Sequence, residues 1–177
     1  GRNKKNPKSV CETVYGFIGT YLSEGKDIDK DIQPIILGII EERPDFVFKT
    51  VKAFTQACLS RGENISDILL AILYIMKENT KSAFQVVWAF IEACLSRNKD
   101  ISNIQKAISE IIELYCTKQN PELVSKIVDA FAEACLLQNI GISDILVAIL
   151  EIIKQDYIKQ NPKFVFETAC AFTLDCL

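Results

Sequence analysis

AFTQACLSR, residues 53–61, returns as AFIEACLSR at residues 89–97 and as AFAEACLLQ at residues 130–138. A shortened copy, AFTLDCL, covers residues 171–177. A phrase that recurs at a near-constant spacing indicates a repeat protein, in which each copy forms one supersecondary structure. Its phenylalanine marks every copy, including a divergent first one: Phe17, Phe54, Phe90, Phe131 and Phe172.

The markers lie 37, 36, 41 and 41 residues apart, so each repeat is 36–41 residues long. The repeats cover approximately residues 6–42, 43–78, 79–119 and 120–160, and residues 161–177 form part of a fifth. We therefore expect a single α-helical repeat domain over residues 1–177, with about four and a half repeats. The extra residues of the third and fourth repeats should lengthen the second helix or the turn that follows it.

Each repeat is predicted to form two helices, here called helix A and helix B. We expect helix A to begin near a proline that lies ten residues before the marker, because proline suits the first helical turn. The position just before it usually holds an asparagine, such as Asn79, whose side chain is a candidate cap for the helix. Helix B begins at an isoleucine eleven residues after the marker, with Asn64 and Asp100 as candidate caps. In the second repeat the apolar residues of helix A have helical spacing: Val47, Val51, Phe54 and Cys58.

Isoleucine occupies three columns of helix B in every full repeat. These residues are spaced as one face of a helix: Ile32, Ile36, Ile39, Ile68, Ile72, Ile75, Ile104, Ile108, Ile111, Ile145, Ile149 and Ile152. The helical period favours helices over strands in these segments. One helix pair cannot bury such a stripe alone, whereas stacked pairs bury it jointly. We predict an all-α protein, an α-solenoid of antiparallel helix pairs.

Small residues recur in helix A, one position before each marker, where we expect helices to approach closely: Gly16, Ala53, Ala89, Ala130 and Ala171. In repeat length and two-helix layout the whole chain resembles the HEAT and armadillo class of α-solenoids. Partners of such solenoids bind to one layer of helices. VVWAF, residues 86–90, resembles the helix motifs of organellar RNA-binding helical repeats. The tetratricopeptide signature does not recur.

Four of the seven cysteines share one column of helix A: Cys58, Cys94, Cys135 and Cys176. They lie on its apolar face, where free cysteine behaves as a small hydrophobe. Neighbouring repeats place them roughly 9 to 10 Å apart, beyond the reach of about 7 Å that a disulfide allows. We expect buried free thiols, which favour a reducing, intracellular compartment, although buried thiols also persist outside cells.

The chain has no histidine, which removes the commonest general base and the commonest metal ligand. The odd cysteine count and the lack of a CxxC pair argue against a zinc site. DIDKDI, residues 27–32, lacks the later glycine and glutamate of a calcium loop. No glycine-rich phosphate loop is present. We predict that the protein is not an enzyme and has no catalytic residue, no metal and no cofactor.

A net charge of −3 gives no bulk attraction for nucleic acid or anionic membranes. Only residues 1–8, GRNKKNPK, form a basic cluster. No apolar run reaches the ~18 to 20 residues of a membrane span. The high apolar content is compatible with a bound lipid, but no residue pattern supports one.

The columns of helix B that face away from the isoleucines vary from copy to copy. Such variation suits a surface that binds a partner, and it suits a solvent-facing surface equally well. We predict that a protein or peptide binds there, and the candidate residues are Leu70, Tyr74, Lys77, Lys106, Glu110, Glu113, Val147, Glu151 and Lys154. Two alternatives stay open. One is a structural module of a longer, self-assembling repeat protein, whose partner is another copy, and the other is a reader of single-stranded RNA.

Overall fold

The structure, a computed structural model, describes residues 7–97, 100–116 and 120–176. Every regular element in these ranges is helical, which confirms the predicted all-α class. The chain divides into two compact units, Gly1–Arg97 and Asn98–Leu177, here called the N-terminal and C-terminal units. The single domain over residues 1–177 stays a prediction.

The N-terminal unit holds the first two repeats and helix A of the third. Its α-helices are α1 (Pro7–Ser23), α2 (Gln33–Glu42), α3 (Val47–Ser60), α4 (Ile65–Glu78) and α5 (Ala83–Arg97). A π-helical turn (Ile28–Ile32) leads into α2, and 3-10 turns (Pro44–Phe46 and Thr80–Ser82) lead into α3 and α5. The A-type helix α3 contacts α1 and α5, while the B-type helices α2 and α4 contact each other. Helices of one type therefore lie side by side.

The C-terminal unit follows the same rule. Its α-helices are α6 (Ile101–Ile111), α7 (Leu123–Leu137), α8 (Ile142–Ile153), α9 (Asp156–Lys159) and α10 (Pro162–Cys176). The B-type helices α6 and α8 contact each other, and so do the A-type helices α7 and α10. A π-helical turn (Ile112–Cys116) continues α6, and α9 follows α8. The extra residues of the third and fourth repeats therefore lengthen helix B and its following turn, as predicted.

Helix B begins at the predicted isoleucine in the second, third and fourth copies, and in the first copy the π-helical turn that leads into α2 begins there. The Asn64 side chain accepts a hydrogen bond from the Asp67 amide at 2.9 Å, and the Asp100 side chain accepts one from the Ser102 amide at 3.0 Å. Both predicted caps are confirmed. The cap predicted at Asn79 is wrong, because its side chain accepts no capping hydrogen bond. Its backbone carbonyl accepts the Ser82 amide at 3.2 Å, which closes a 3-10 turn.

Helix A ends through a backbone motif that returns in three copies. The second residue after the helix has a positive φ of 75° at Gly25, 83° at Gly62 and 57° at Asn139. Glycine and asparagine tolerate this left-handed conformation better than other residues. The amide one residue later then donates to a carbonyl of the last helical turn. These bonds are Lys26 to Tyr21 (3.0 Å), Glu63 to Cys58 (3.1 Å) and Ile140 to Cys135 (3.0 Å).

The isoleucine columns form the core of each unit. Eleven of the twelve isoleucines are buried. The exception is Ile39, which is half-buried while its neighbour Ile40 is fully buried. The buried residues Ile32, Ile36 and Ile40 are spaced four residues apart, so the inward-facing side of α2 passes through position 40 and not through position 39. The columns are therefore correct as a core prediction except at this one residue.

The cysteine column also lies in the core. The thiols of Cys58, Cys94 and Cys135 are fully buried and free. The fourth member, Cys176, lies outside the residues whose side chains the structure describes, and so does the fifth marker, Phe172. Tyr21 replaces the cysteine in the first copy and is half-buried.

Candidate functional site

The predicted helix-B surface lies in solvent. All nine candidates are exposed: Leu70, Tyr74 and Lys77 in the N-terminal unit, and Lys106, Glu110, Glu113, Val147, Glu151 and Lys154 in the C-terminal unit. Among them Leu70 is 66% exposed, Tyr74 45% and Val147 61%. Large apolar side chains at such exposure mark candidate contact sites when they cluster. That these residues bind a partner stays a prediction.

In the C-terminal unit the apolar surface of α8 is larger than the sequence predicted. Ile142, Leu146 and Leu150 are exposed at spacings of four residues, and Val147 lies beside them. They form a stripe on one side of the helix, called the α8 stripe here. On α4 the same column holds buried Leu69 and Leu73. The exposure of this column on α8 therefore did not follow from the repeat pattern.

A second surface, on the A-type helices of the N-terminal unit, was not predicted. A groove of about 640 Å³ lies over α1 and α3 and reaches the end of α5. We call it the A groove and define it by the residues Tyr15, Phe48, Lys49, Lys52, Gln56 and Arg97. Its volume lies within the ordinary range of ligand-binding clefts. One sequence signal could have revealed it, because Phe48, Phe84 and Phe166 share a column that lies off the apolar face of helix A.

Aromatic rings and cations form the walls of the A groove. The Phe48 ring lies 4.8 Å from the Trp88 ring, centroid to centroid, and the Lys52 ammonium lies 5.8 Å from the Phe48 centroid. Lys52 also pairs with Glu92 at 3.3 Å. Such pairs hold long side chains in defined positions even where they add little stability.

The far end of the groove is closed by Tyr15 and Arg97. The Tyr15 hydroxyl donates to the Ser60 hydroxyl at 3.0 Å and accepts from the Arg97 guanidinium at 3.3 Å. The pKa of Tyr15 is lowered below its usual value, because the Ser60 hydroxyl can hydrogen-bond to the ionised phenolate and because Arg97 and Arg61 place positive charge beside it. Two guanidinium groups, those of Arg97 and Arg61, therefore place positive charge near this end of the groove.

Small residues form the floor. Ala53 is buried, whereas Gly16 is exposed and a Cβ atom there would meet nothing within 4 Å. We expected helices to approach closely at the small residue before each marker. The burial of Ala53, Ala89 and Ala130 agrees with that expectation. The expectation is wrong at Gly16, where the missing side chain leaves open space in the groove.

The acidic stretch at residues 27–32 places its carboxylates in local contacts. A cavity of about 300 Å³ between the π-helical turn and α4 is lined by Asp27, Asp29 and Asp67, among others. Asp27 lies 3.9 Å from Lys30, while the Asp31 carboxylate accepts the Asp27 amide at 2.8 Å. Across the described ranges, no three ligand-type side chains converge as a metal site would require.

Burial suppresses thiol chemistry in the core. Burial raises the pKa of Cys58, Cys94, Cys116 and Cys135 to about 12. Because the thiolate is the nucleophile and the metal ligand, these four thiols are inert at neutral pH. Within the part of the chain that the structure describes, no helix is both long and apolar enough to cross a bilayer.

Comparisons with known proteins add no family. No protein-family model matches the chain, and no curated protein matches its sequence significantly.

Proposed function

We propose that the protein is a non-enzymatic helical-repeat scaffold that binds a protein or peptide partner on its helix-B surface. The observation that carries the proposal is the α8 stripe, which exposes Ile142, Leu146 and Leu150 along one side of a helix. Removing such a row from water releases roughly 25 cal/mol per Å² of apolar area. Charged neighbours, including the Lys154–Glu151 pair at 3.0 Å, border the stripe and suit a polar rim.

The fold supports a HEAT-like or armadillo-like scaffold within each unit. A-type helices contact A-type helices and B-type helices contact B-type helices, which is the neighbour rule of an α-solenoid of antiparallel pairs. The chemistry supports a binding role over a catalytic one. The chain has no histidine, and its core thiols are held neutral by burial.

Peptide display tests this function. Peptides selected on the native protein should shift the amide resonances of α4 or α8, and their binding should weaken at least tenfold in the double variant Leu146→Ser, Leu150→Ser. The matched control is Leu137→Ser, which changes an exposed leucine at the end of an A-type helix of the same unit. The proposal is overturned if no selected peptide shifts the α8 resonances or responds to the double variant, even where other peptides bind elsewhere on the protein.

Self-association is the second candidate, and a specific observation favours it. The column that is exposed in the α8 stripe is buried at Leu69 and Leu73 of α4. A B-type helix from another copy would bury the exposed column of α8. Sedimentation over a concentration series should then show dimers or longer species, which Leu146→Glu reduces and Leu137→Glu does not. A monomer at every concentration would exclude self-association through this stripe.

A further inference from the structure

We propose that the A groove of the N-terminal unit binds a short, extended peptide that carries carboxylate side chains and one aromatic or aliphatic side chain. This site lies on the A-type helices. It is therefore separate from the helix-B surface and does not depend on the function proposed for that surface.

The charges of the groove select the sign of its ligand. Lys49, Lys52 and Arg97 line it, and Glu12 is the carboxylate among its lining residues. Arg61 adds a positive field at Tyr15. This cationic patch lies in a chain whose net charge is −3, so it differs in sign from the protein as a whole. A ligand with carboxylates complements such a patch and is steered to it.

The rings select an apolar side chain. Phe48 and Tyr15 are both half-buried and both line the groove. Gly16 lines the same groove, and nothing lies within 4 Å of its Cβ position. An aromatic or aliphatic side chain that enters this space would bury apolar area against both rings. The apolar space and the cations together favour a ligand with one apolar side chain and with carboxylates on either side of it.

The site is held in place before any ligand arrives. Arg97 is bonded to Tyr15 at 3.3 Å and Lys52 to Glu92 at 3.3 Å, while the Gln56 amide donates to Ser96 at 3.3 Å. These contacts join α1, α3 and α5. Groups that are already ordered lose less conformational entropy on binding, so the affinity is higher than for free side chains.

A peptide fits better than single-stranded RNA. Glu12 lies on the groove, and the carboxylate of Glu92 lies against Lys52, so a continuous phosphate backbone would pass two negative charges. A peptide can instead place its carboxylates at separate points. Two interhelical spacings of roughly 9 Å each correspond to about five or six extended residues.

The first experiment uses defined probes. The probes are a library of blocked peptides of about six residues, rich in Asp and Glu with Phe or Leu at each position in turn, the matching lysine library, and oligouridine of similar length. We expect acidic peptides to shift the amide resonances of α1 and α3 around Gly16 and Ala53, and lysine peptides to leave them unchanged. Binding by oligouridine alone, or by no probe at all, would overturn the proposal.

A filled groove gives the second test. Gly16→Leu places a side chain in the open floor, and the free space around its Cβ position lets the fold accept it. The matched control is Gly38→Leu on α2, another exposed helical glycine with nothing within 4 Å. Gly16→Leu should weaken the best acidic peptide more than tenfold, and Gly38→Leu should leave it unchanged. Equal affinities in the two variants would refute the site.

Charge reversal gives the third test. Lys49→Glu should weaken the acidic peptide at least fivefold, whereas Lys77→Glu makes the same change at an exposed lysine of α4 and should have no such effect. Raising salt from about 0.05 M to about 0.5 M should weaken binding in the native protein, because the Debye length falls several-fold. Binding that ignores both salt and Lys49 would contradict the charge argument. None of these three experiments depends on partner binding at the helix-B surface, so they test the A groove separately from the proposed function.

Discussion

The backbone amide of Glu63 donates a hydrogen bond to the carbonyl of Cys58 at 3.1 Å, across Gly62 in the left-handed conformation. Ile140 and Cys135 repeat the relationship at 3.0 Å across Asn139. The recurring cysteine therefore does two things at once. Its carbonyl closes the end of helix A, and its buried thiol fills the core below that turn. The repeated phrase encodes a helix end together with a core position.

Gly62→Ala should destabilise the protein. Its φ of 83° is unfavourable for a residue with a Cβ atom by roughly 1–2 kcal/mol, although a Cβ atom there would meet no other atom within 4 Å. We expect a loss of about 1–2 kcal/mol in the free energy of unfolding, measured by urea titration. Gly38→Ala is the control and should instead stabilise by about 0.5–1 kcal/mol, because it replaces glycine inside a helix. If both substitutions changed the free energy of unfolding in the same direction, the argument from backbone conformation would be contradicted.

The thiols should separate into two reactivity classes. Cys11 and Cys170 are half-buried, whereas Cys58, Cys94, Cys116 and Cys135 are buried. In a Cys176→Ser background, a maleimide reagent at neutral pH should modify the first two quickly and the other four only through opening of the fold. Mass spectrometry of digested samples gives the order of modification. Early labelling of Cys94 would show that this column is not core.

The core thiols should also make stability fall in alkaline solution. Burial raises the pKa of Cys94 from 9.0 to about 12 in the folded protein. Above about pH 9 the unfolded chain releases this proton while the folded chain keeps it, so the free energy of unfolding falls as pH rises. The loss approaches about 1.4 kcal/mol per pH unit for one thiol.

Cys94→Ala isolates this contribution. Urea titrations of the native and variant proteins at about pH 7 measure the loss of packing alone, and that difference is the reference. Between about pH 9 and pH 10 the stability of the variant should fall less steeply than that of the native protein. Parallel pH profiles would show that Cys94 does not titrate differently in the two states.

Most of the fold could be predicted because the repeat averages over copies. The start of helix B was predictable at Ile28, Ile65, Ile101 and Ile142, since each copy places the same residue at the same offset. The partial exposure of Ile39 was not predictable, because positions 39 and 40 are both isoleucine and residue type does not tell which of them faces the core. The cap at Asn79 was wrong because a 3-10 turn forms at the same helix end.

The sites were less predictable than the fold. Exposure of Leu70, Tyr74 and Val147 followed from helical periodicity alone. The A groove did not, because it joins Tyr15, Phe48 and Arg97, which lie on three helices and in three different repeats. Periodicity gives the face of each helix but not the contacts between faces of different helices.

The isoleucine columns predict a graded loss of stability. Ile72→Ala should cost about 2–5 kcal/mol, because the side chain is fully buried. Ile39→Ala, in the same type of helix but half-buried, should cost less. Lys77→Ala changes an exposed residue and should stay within about 0.5 kcal/mol. Urea titration ranks the three variants, and equal small effects would contradict the assigned faces.

Two buried threonines of α3 offer the sharpest comparison, since both are fully buried on one helix. The Thr55 hydroxyl donates to the Val51 carbonyl at 2.9 Å, whereas the Thr50 hydroxyl has no hydrogen-bond partner among the described residues. A buried polar group without a partner costs about 1–3 kcal/mol. Thr50→Val removes that cost at nearly constant shape, so it should raise the free energy of unfolding by about 1 kcal/mol or more. Thr55→Val removes a satisfied hydroxyl and should not stabilise, with a change between zero and a loss of about 1 kcal/mol. Urea titration of both variants decides the matter: a stabilisation at position 55 that equals the one at position 50 would show that the hydrogen bond makes no difference.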